Sequence, residues 1–322
     1  MPQLELKNID FSYKDTKVID NFNLSVERGE FATLLGESGC GKTTILRLIS
    51  GFLNPTQGKI FIKGEEQNGI LPNRRKIGMV FQDYALFPHL TVEQNLFYGL
   101  KLKKDFRSQK KQNTELVMQT AENLGLINLL NRFPGELSGG QQQRVALGRS
   151  LVLEPEVLLM DEPLSSLDTN LRIKVREELK EIQQKLKITT IYVTHDQEEA
   201  LSLSDRIAVM KGGKVIQFNS PEKIYFEPKD EFTADFVGRA NILHQNGEKI
   251  LVRPEWITIS KNEGTELRGT VLTTSFFGDR FRYKIQLKSG EEITAYTEST
   301  EEKLSAGEEV GITFRRQWKL EQ

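Results

Sequence analysis

Residues 36–44 read GESGCGKTT. The apolar run FATLL, residues 31–35, precedes them, and Ile45, Leu46, Leu48 and Ile49 follow. A short apolar run, a glycine-rich turn and a helix pattern, in that order, make an α/β unit with a buried strand. The stretch also fits the pattern G-x-x-x-x-G-K-[ST]. Glycines tolerate a turn tight enough for backbone N–H groups to converge on phosphate oxygens, and the following helix adds the positive end of its dipole. Gly36, Glu37, Ser38, Gly39, Cys40, Gly41, Lys42, Thr43 and Thr44 are therefore candidate phosphate holders. Lys42 can reach the outer phosphates, and the Thr43 hydroxyl can ligate Mg2+.

Outward from that unit, residues 4–9 and 18–26 read as strands around a turn containing Tyr13. Residues 59–62 and 77–81 are further strands, and residues 100–135 are more polar and helical in pattern. VLLM at 157–160 and TTIYVT at 189–194 read as buried strands. Between them, residues 171–186 form an amphipathic helix with Val175, Leu179, Ile182 and Leu186 on one face. Apolar strands alternating with helices predict a parallel sheet covered on both sides. Near residue 240 the pattern changes. FRYKIQL, residues 281–287, alternates apolar and polar, and 269–274, 292–296 and 310–314 are also strand-like. Turns at Gly278-Asp279 and Ser289-Gly290 separate them. About 80 residues of short strands predict a second domain built as a small barrel.

The chain has 322 residues, 38% hydrophobic and 28% charged, with a net charge of −1. This suits a globular protein and gives no basic surplus for nonspecific nucleic-acid binding. No apolar run approaches the ~18 residues of a membrane span. MPQLELKNIDF at the start alternates polar and apolar residues, as a strand does and a leader does not. One cysteine and three histidines leave no framework for a disulfide or a structural zinc site. The expected setting is cytosolic. Cys40 reads as a small packing residue.

Two further motifs narrow the function. Asp161 ends the VLLM strand, where a carboxylate can hold Mg2+, and Glu162 beside it can polarise an attacking water. LSGGQ at 137–141 runs into a helix pattern over 142–152, so Ser138 and the glycines form a second anion site at a helix N-terminus. A serine cap alone needs no Gly-Gly-Gln after it.

LSGGQQQR, residues 137–144, resembles the signature of ATP-binding-cassette (ABC) ATPases, and the other motifs of that family stand in family order. Tyr13 matches the aromatic that stacks on adenine, and Gln82 in VFQDYALFPHLTV matches the glutamine loop. Ser166-Leu167-Asp168 matches the D-loop, and His195 in YVTHDQEEA matches the switch histidine. The wording is similar to importer ATPases of the ferric iron, polyamine, sulfate and sugar group. VRPE at 252–255 and VLTTSFFGDRFRYKIQL at 271–287 resemble that group's C-terminal TOBE-type barrel. Ser166 stands where the group commonly has alanine, and the tail is shorter than in the longer sugar importers.

The resemblance implies a P-loop NTPase (ABC ATPase) domain of α/β class over 1–237, with a helical subdomain at about 83–155, then an all-β OB-like TOBE domain over 238–322. It implies ATP and Mg2+ as cofactors. Thr43, Gln82 and Asp161 would hold the metal, and Glu162, His195 and Gln82 would act in hydrolysis. Tyr13 and Asp168 would join the nucleotide site, and Ser138, Gly139, Gly140 and Gln141 of a second copy would complete it. The implied partners are a second copy of the chain, permease subunits meeting it near Tyr84 and Pro88, and, indirectly, an extracytoplasmic solute-binding protein. The implied location is peripheral, on the cytoplasmic face of the membrane. Ferric iron is the first expectation for the solute and polyamine the next. The alternatives are a non-transport ABC ATPase acting on nucleic acid or ribosomes, and an exporter subunit.

Overall fold

A computed structural model describes residues 1–322 except 104, 105, 166, 246, 262–266 and 322. Ser166, read above as part of the D-loop, lies outside the described residues. The chain forms two compact units, Met1–Pro221 and Glu222–Gln322.

The first unit opens with β1 (Leu4–Tyr13) and β2 (Thr16–Val26), paired antiparallel with Leu4 opposite Val26 and Leu6 opposite Leu24. After β3 (Phe31–Gly36) and α1 (Lys42–Ser50), the strands β4 (Gln57–Ile62) and β5 (Glu65–Glu66) extend that pair into a four-stranded sheet in the order β2-β1-β4-β5. Next come β6 (Ile77–Val80), α2 (Val92–Lys101), α3 (Lys110–Asn123), α4 (Gly139–Leu151) and β7 (Val157–Asp161). The unit continues with α5 (Thr169–Leu186), β8 (Thr189–Thr194), α6 (Gln197–Leu203), β9 (Arg206–Lys211) and β10 (Lys214–Asn219). A six-stranded sheet runs β10-β9-β3-β8-β7-β6, parallel throughout except for β10 at its edge.

The central strands bury both faces, which is why they read as unbroken apolar runs. Successive side chains point to opposite faces. Ala32, Leu34, Val157, Leu159, Ile191 and Val193 pack with α1 and the antiparallel sheet, whereas Phe31, Leu158, Met160 and Tyr192 pack with α2, α3, α4 and α5. The parallel sheet is therefore covered on both sides, as expected, but one cover is largely a second sheet. Strand spacing alone does not say which runs share a sheet. The span expected as a helical subdomain carries α2, α3 and α4. The helix expected at 171–186 starts two residues earlier, because the Asp168 side chain accepts the Leu171 N–H and caps it at 3.0 Å.

The second unit gathers α7 (Pro221–Phe226), which starts at the junction, and α8 (Glu231–Phe236). It then forms β11 (Asn241–Gln245), β12 (Glu248–Val252), β13 (Ile257–Ser260), β14 (Leu267–Phe276), β15 (Arg280–Leu287), β16 (Glu292–Glu298), β17 (Glu309–Phe314) and β18 (Trp318–Lys319). Among the described residues all its pairings are antiparallel. Five strands in the order β13-β17-β14-β15-β16 curl until β13 and β16 approach, giving a nearly closed barrel. Val271, Tyr283, Ile285, Ile293, Val310 and Ile312 fill it.

The units divide at Pro221, upstream of the expected 237/238, so two short helices group with the strands. Arg253 shows why. Its side chain is fully buried, lies over the Tyr225 ring, and donates to the carbonyls of Tyr225, Ala234, Gly238 and Arg239. Truncating it orphans the buried Ala234 carbonyl, at a cost of about 1–3 kcal/mol, and takes the donor from three partly buried ones. Arg253→Ala is accordingly expected to destabilise the second unit by about 3 kcal/mol or more. Chemical denaturation followed by the fluorescence of Trp256 and Trp318 checks this.

Candidate functional site

The parallel order sets Gly36 at the end of β3, Asp161 at the end of β7 and Thr194 at the end of β8 on adjacent strands. Ligands of such sheets bind beyond the carboxyl ends of the strands. The chain leaves β3 through residues 37–41 and enters α1 at Gly41, whose φ of 105° is left-handed. A Cβ there would also stand 2.6 Å from the tip of the Ile19 side chain, so the left-handed turn and the close neighbour both favour glycine. Lys42, only 6% exposed, donates to the carbonyls of Gly36 at 2.6 Å and Glu37 at 2.9 Å. Arg75 donates to the Leu48 and Ile49 carbonyls at the other end of α1 and so fixes the helix axis. A cleft of about 240 Å3 opens over the loop, lined by Val18, Ser38, Gly39, Gly41, Lys42, Thr43, Thr44 and Glu162.

The Thr43 hydroxyl donates to Asp161 at 3.1 Å. Burial pushes the Asp161 carboxyl above its usual range, the charge of Glu162 adds to this, and the Thr43 bond opposes it. A hydroxyl beside a carboxylate is a hard-oxygen donor set, the kind that Mg2+ takes together with phosphate oxygens and water. Among the described residues no group of three or more His, Cys, Asp or Glu is placed to hold a metal. An Mg2+ held through phosphates needs no such group.

Glu162 has a left-handed φ of 44°, uncommon outside glycine, and its N–H donates to the Val193 carbonyl at 3.0 Å. Its carboxylate lies 3.1 Å from Nδ1 of His195, which is exposed. Backbone strain of this kind concentrates at functional sites.

Other expected residues lie apart from this cleft. Tyr13 is 41% exposed at the end of β1, edge-on to Phe11. Gln82 is exposed just beyond β6, and Asp168 caps α5. Ser138 caps α4 by accepting from the Gln141 N–H, and Gln141 accepts the Ser138 N–H in return. A Cβ on Gly140 would stand 2.7 Å from Val175 and one on Gly139 2.6 Å from Leu167. Gly-Gly-Gln thus has work within its own chain, which corrects the sequence argument that a capped helix has no use for it. Alanine normally favours a helix interior over glycine by about 1 kcal/mol. At Gly140 the sign reverses: Gly140→Ala is expected to destabilise by about 1–3 kcal/mol, with part of the loss recovered by Val175→Ala. A double-mutant cycle in urea checks this.

Residues 84–88, read as a partner surface, are mixed. Tyr84 is buried and donates to the Pro163 carbonyl at 3.0 Å, while Phe87 is half-buried against Tyr98 and Pro88 is exposed. Cys40 is buried, which pushes its thiol pKa up. That matches packing rather than redox chemistry.

Comparison with known proteins gives the family. Residues 19–165 match the ABC transporter family model, and residues 250–318 match the TOBE domain. An Fe(3+) ions import ATP-binding protein of Fusobacterium nucleatum is 42% identical, over 92% of this chain and 86% of its own length. A spermidine/putrescine import ATP-binding protein of Borreliella afzelii is 40% identical over 96% of this chain and 94% of its own. Among solved structures, cbiO1 of Clostridium perfringens, part of the ABC transporter complex cbiONQ, superimposes with a TM-score of 0.62 at 32% identity. The match covers 69% of this chain and 90% of that one. The chain belongs to the ABC transporter family. Within it the chain is an ATP-binding, ATP-hydrolysing subunit of the import group, with a TOBE domain at its C-terminal side.

Proposed function

We propose that this chain drives uptake of a small solute, ferric iron before polyamine, through permease subunits it meets on the cytoplasmic face of the membrane. The observation that carries the site reading is the convergence of Thr43, Asp161, Glu162 and His195 beside the Lys42 loop. Residues 36–44 hold the phosphates, with Lys42 on the outer ones. Thr43 and Asp161 would hold Mg2+, which would screen phosphate charge, and Gln82, exposed beyond β6 in this structure, would join them as the family resemblance implies. Glu162 takes a proton from the attacking water, and His195 orients that water and the γ-phosphate.

Ser138, Gly139, Gly140 and Gln141 are not among the residues lining the cleft. In this reading a second copy supplies them, Asp168 approaches across the same interface, and Tyr13 stacks on adenine. Two copies related by a two-fold axis make two equivalent sites. ATP bound from both sides favours the closed pair, and hydrolysis releases it. Tyr84 supports coupling to a permease, because it ties residues 84–88 to the Pro163 loop beside Glu162. No described helix is long and apolar enough to cross a membrane, in keeping with a peripheral subunit. The relatives' names support the solute ranking, and an extracytoplasmic binding protein would deliver the solute.

Capture tests this reading. The Glu162→Gln chain with MgATP is used as bait in gently solubilised native membranes. A multi-spanning permease in the complex, with a binding protein whose solute can then be screened, is the expected result. Recovery of soluble proteins or nucleic acid alone would refute the import role and leave the ATPase standing.

A further inference from the structure

We propose that Glu199 is a positioning residue for ATP hydrolysis, locking the end of β8 and so setting where His195 meets Glu162. The proposal rests on the site reading above, in which His195 and Glu162 act at the γ-phosphate.

Glu199 lies in the first turn of α6 and is 3% exposed. Acidic side chains are almost never buried so fully without partners. One carboxylate oxygen, Oε2, accepts from the Tyr192 hydroxyl at 2.8 Å and the Thr194 hydroxyl at 2.7 Å. The Thr194 hydroxyl in turn accepts the Asp196 N–H at 3.0 Å. A chain of hydrogen bonds thus grips the residue before His195 and the residue after it. The Asp196 carboxylate accepts the N–H groups of Glu198 and Glu199, which closes the loop back onto α6. Arg172 stands beside it, 3.5 Å from Asp196, and donates to the Leu167 carbonyl. Glu199, Thr194, His195 and Glu162 all line one small hollow of about 40 Å3. The backbone of His195 is therefore held from both sides while its exposed ring reaches Glu162.

Stability alone does not account for a carboxylate here. Burial pushes the Glu199 carboxyl upward, and the two hydroxyls and Arg172 only oppose that shift. An acid whose folded pKa is raised costs stability wherever it is ionised, so an ionised carboxylate here is a liability to the fold. What the charge supplies is direction. An ionised carboxylate only accepts, so both hydroxyls must donate to it, and the Thr194 oxygen is left to take the Asp196 N–H. A glutamine can donate as well as accept and loses that constraint.

The test uses the full chain. Glu199→Gln is expected to lower kcat for ATP about tenfold or more, as sub-ångström misplacement does, with KM within about twofold and no fall in the unfolding midpoint. The chain has three histidines, so ring resonances can be assigned by substitution. The His195 signal should shift in Glu199→Gln while His89 and His244 stay. Added to His195→Ala, Glu199→Gln should cost nothing further. Tyr192→Phe, which removes one donor and keeps the packing, should show the same pattern more weakly and serves if Glu199→Gln does not fold. Unchanged kcat, an unmoved His195 signal or losses that add to those of His195→Ala would overturn the proposal. Wild-type turnover by His195→Ala would overturn the site reading itself, and this proposal with it.

Discussion

Lys42→Ala is expected to reduce ATP turnover on the order of 10²–10³-fold and to weaken nucleotide binding with it. Lys42 is the cation among the residues lining the cleft. Its ammonium is held by the Gly36 and Glu37 carbonyls at 2.6 and 2.9 Å, so the loop between β3 and α1 aims the charge. A preorganised charge in a partly water-excluded site acts on developing phosphate charge without having to reorient. Alanine removes the charge and also the donor to both carbonyls, which slackens the turn. Steady-state turnover, together with titration of a fluorescent ATP analogue, separates the two losses. Turnover within a few-fold of the wild type would place the reaction elsewhere.

Glu162→Gln should behave differently: kcat falls about 10²–10⁴-fold while ATP binding is kept. The amide has the carboxylate's shape and tolerates the same left-handed turn at nearly the same cost. It cannot accept a proton from water. In this account the ATP-bound pair then accumulates, so sedimentation with MgATP should show a dimer that the wild type populates only transiently. The opposite pattern, weak binding with normal turnover at saturation, would assign Glu162 to nucleotide affinity rather than proton transfer.

Lys42 and Glu162 come to the site by different routes, and those routes explain what the sequence disclosed. The phosphate loop is local: strand, turn and helix are consecutive, so spacing alone places Lys42 and Thr43. Asp161 was legible because a buried strand ending in acids is a pattern of one segment. The register that sets Asp161 opposite Val193 and Leu35 opposite Thr194 is not local. The family resemblance implies only that Glu162 and His195 both act in hydrolysis, and their 3.1 Å approach is disclosed by the structure. The antiparallel sheet was hidden because its strands looked like any others. Glu199 is hidden in the sequence because Glu198-Glu199 reads as solvated helix surface. Asp196 as a helix cap, with Glu199, Ala200 and Leu203 turned inward, was the available signal. Arg253 stands in the VRPE segment that resembles the family, but its contacts with four carbonyls depend on two helices that periodicity does not resolve.

The central claim is that one chain's phosphate loop works with another chain's Ser138. Mixing tests it most directly. Lys42→Ala and Ser138→Arg chains are each purified, shown to be folded, and assayed for ATP turnover alone and mixed. Ser138 is exposed, so losing its cap should cost the fold only about 1 kcal/mol. The account predicts that each variant alone is inactive and that the mixture regains turnover, because a mixed pair contains one site with both groups intact. Wild-type turnover by Ser138→Arg alone would mean that a single chain completes its own site, and would contradict the account.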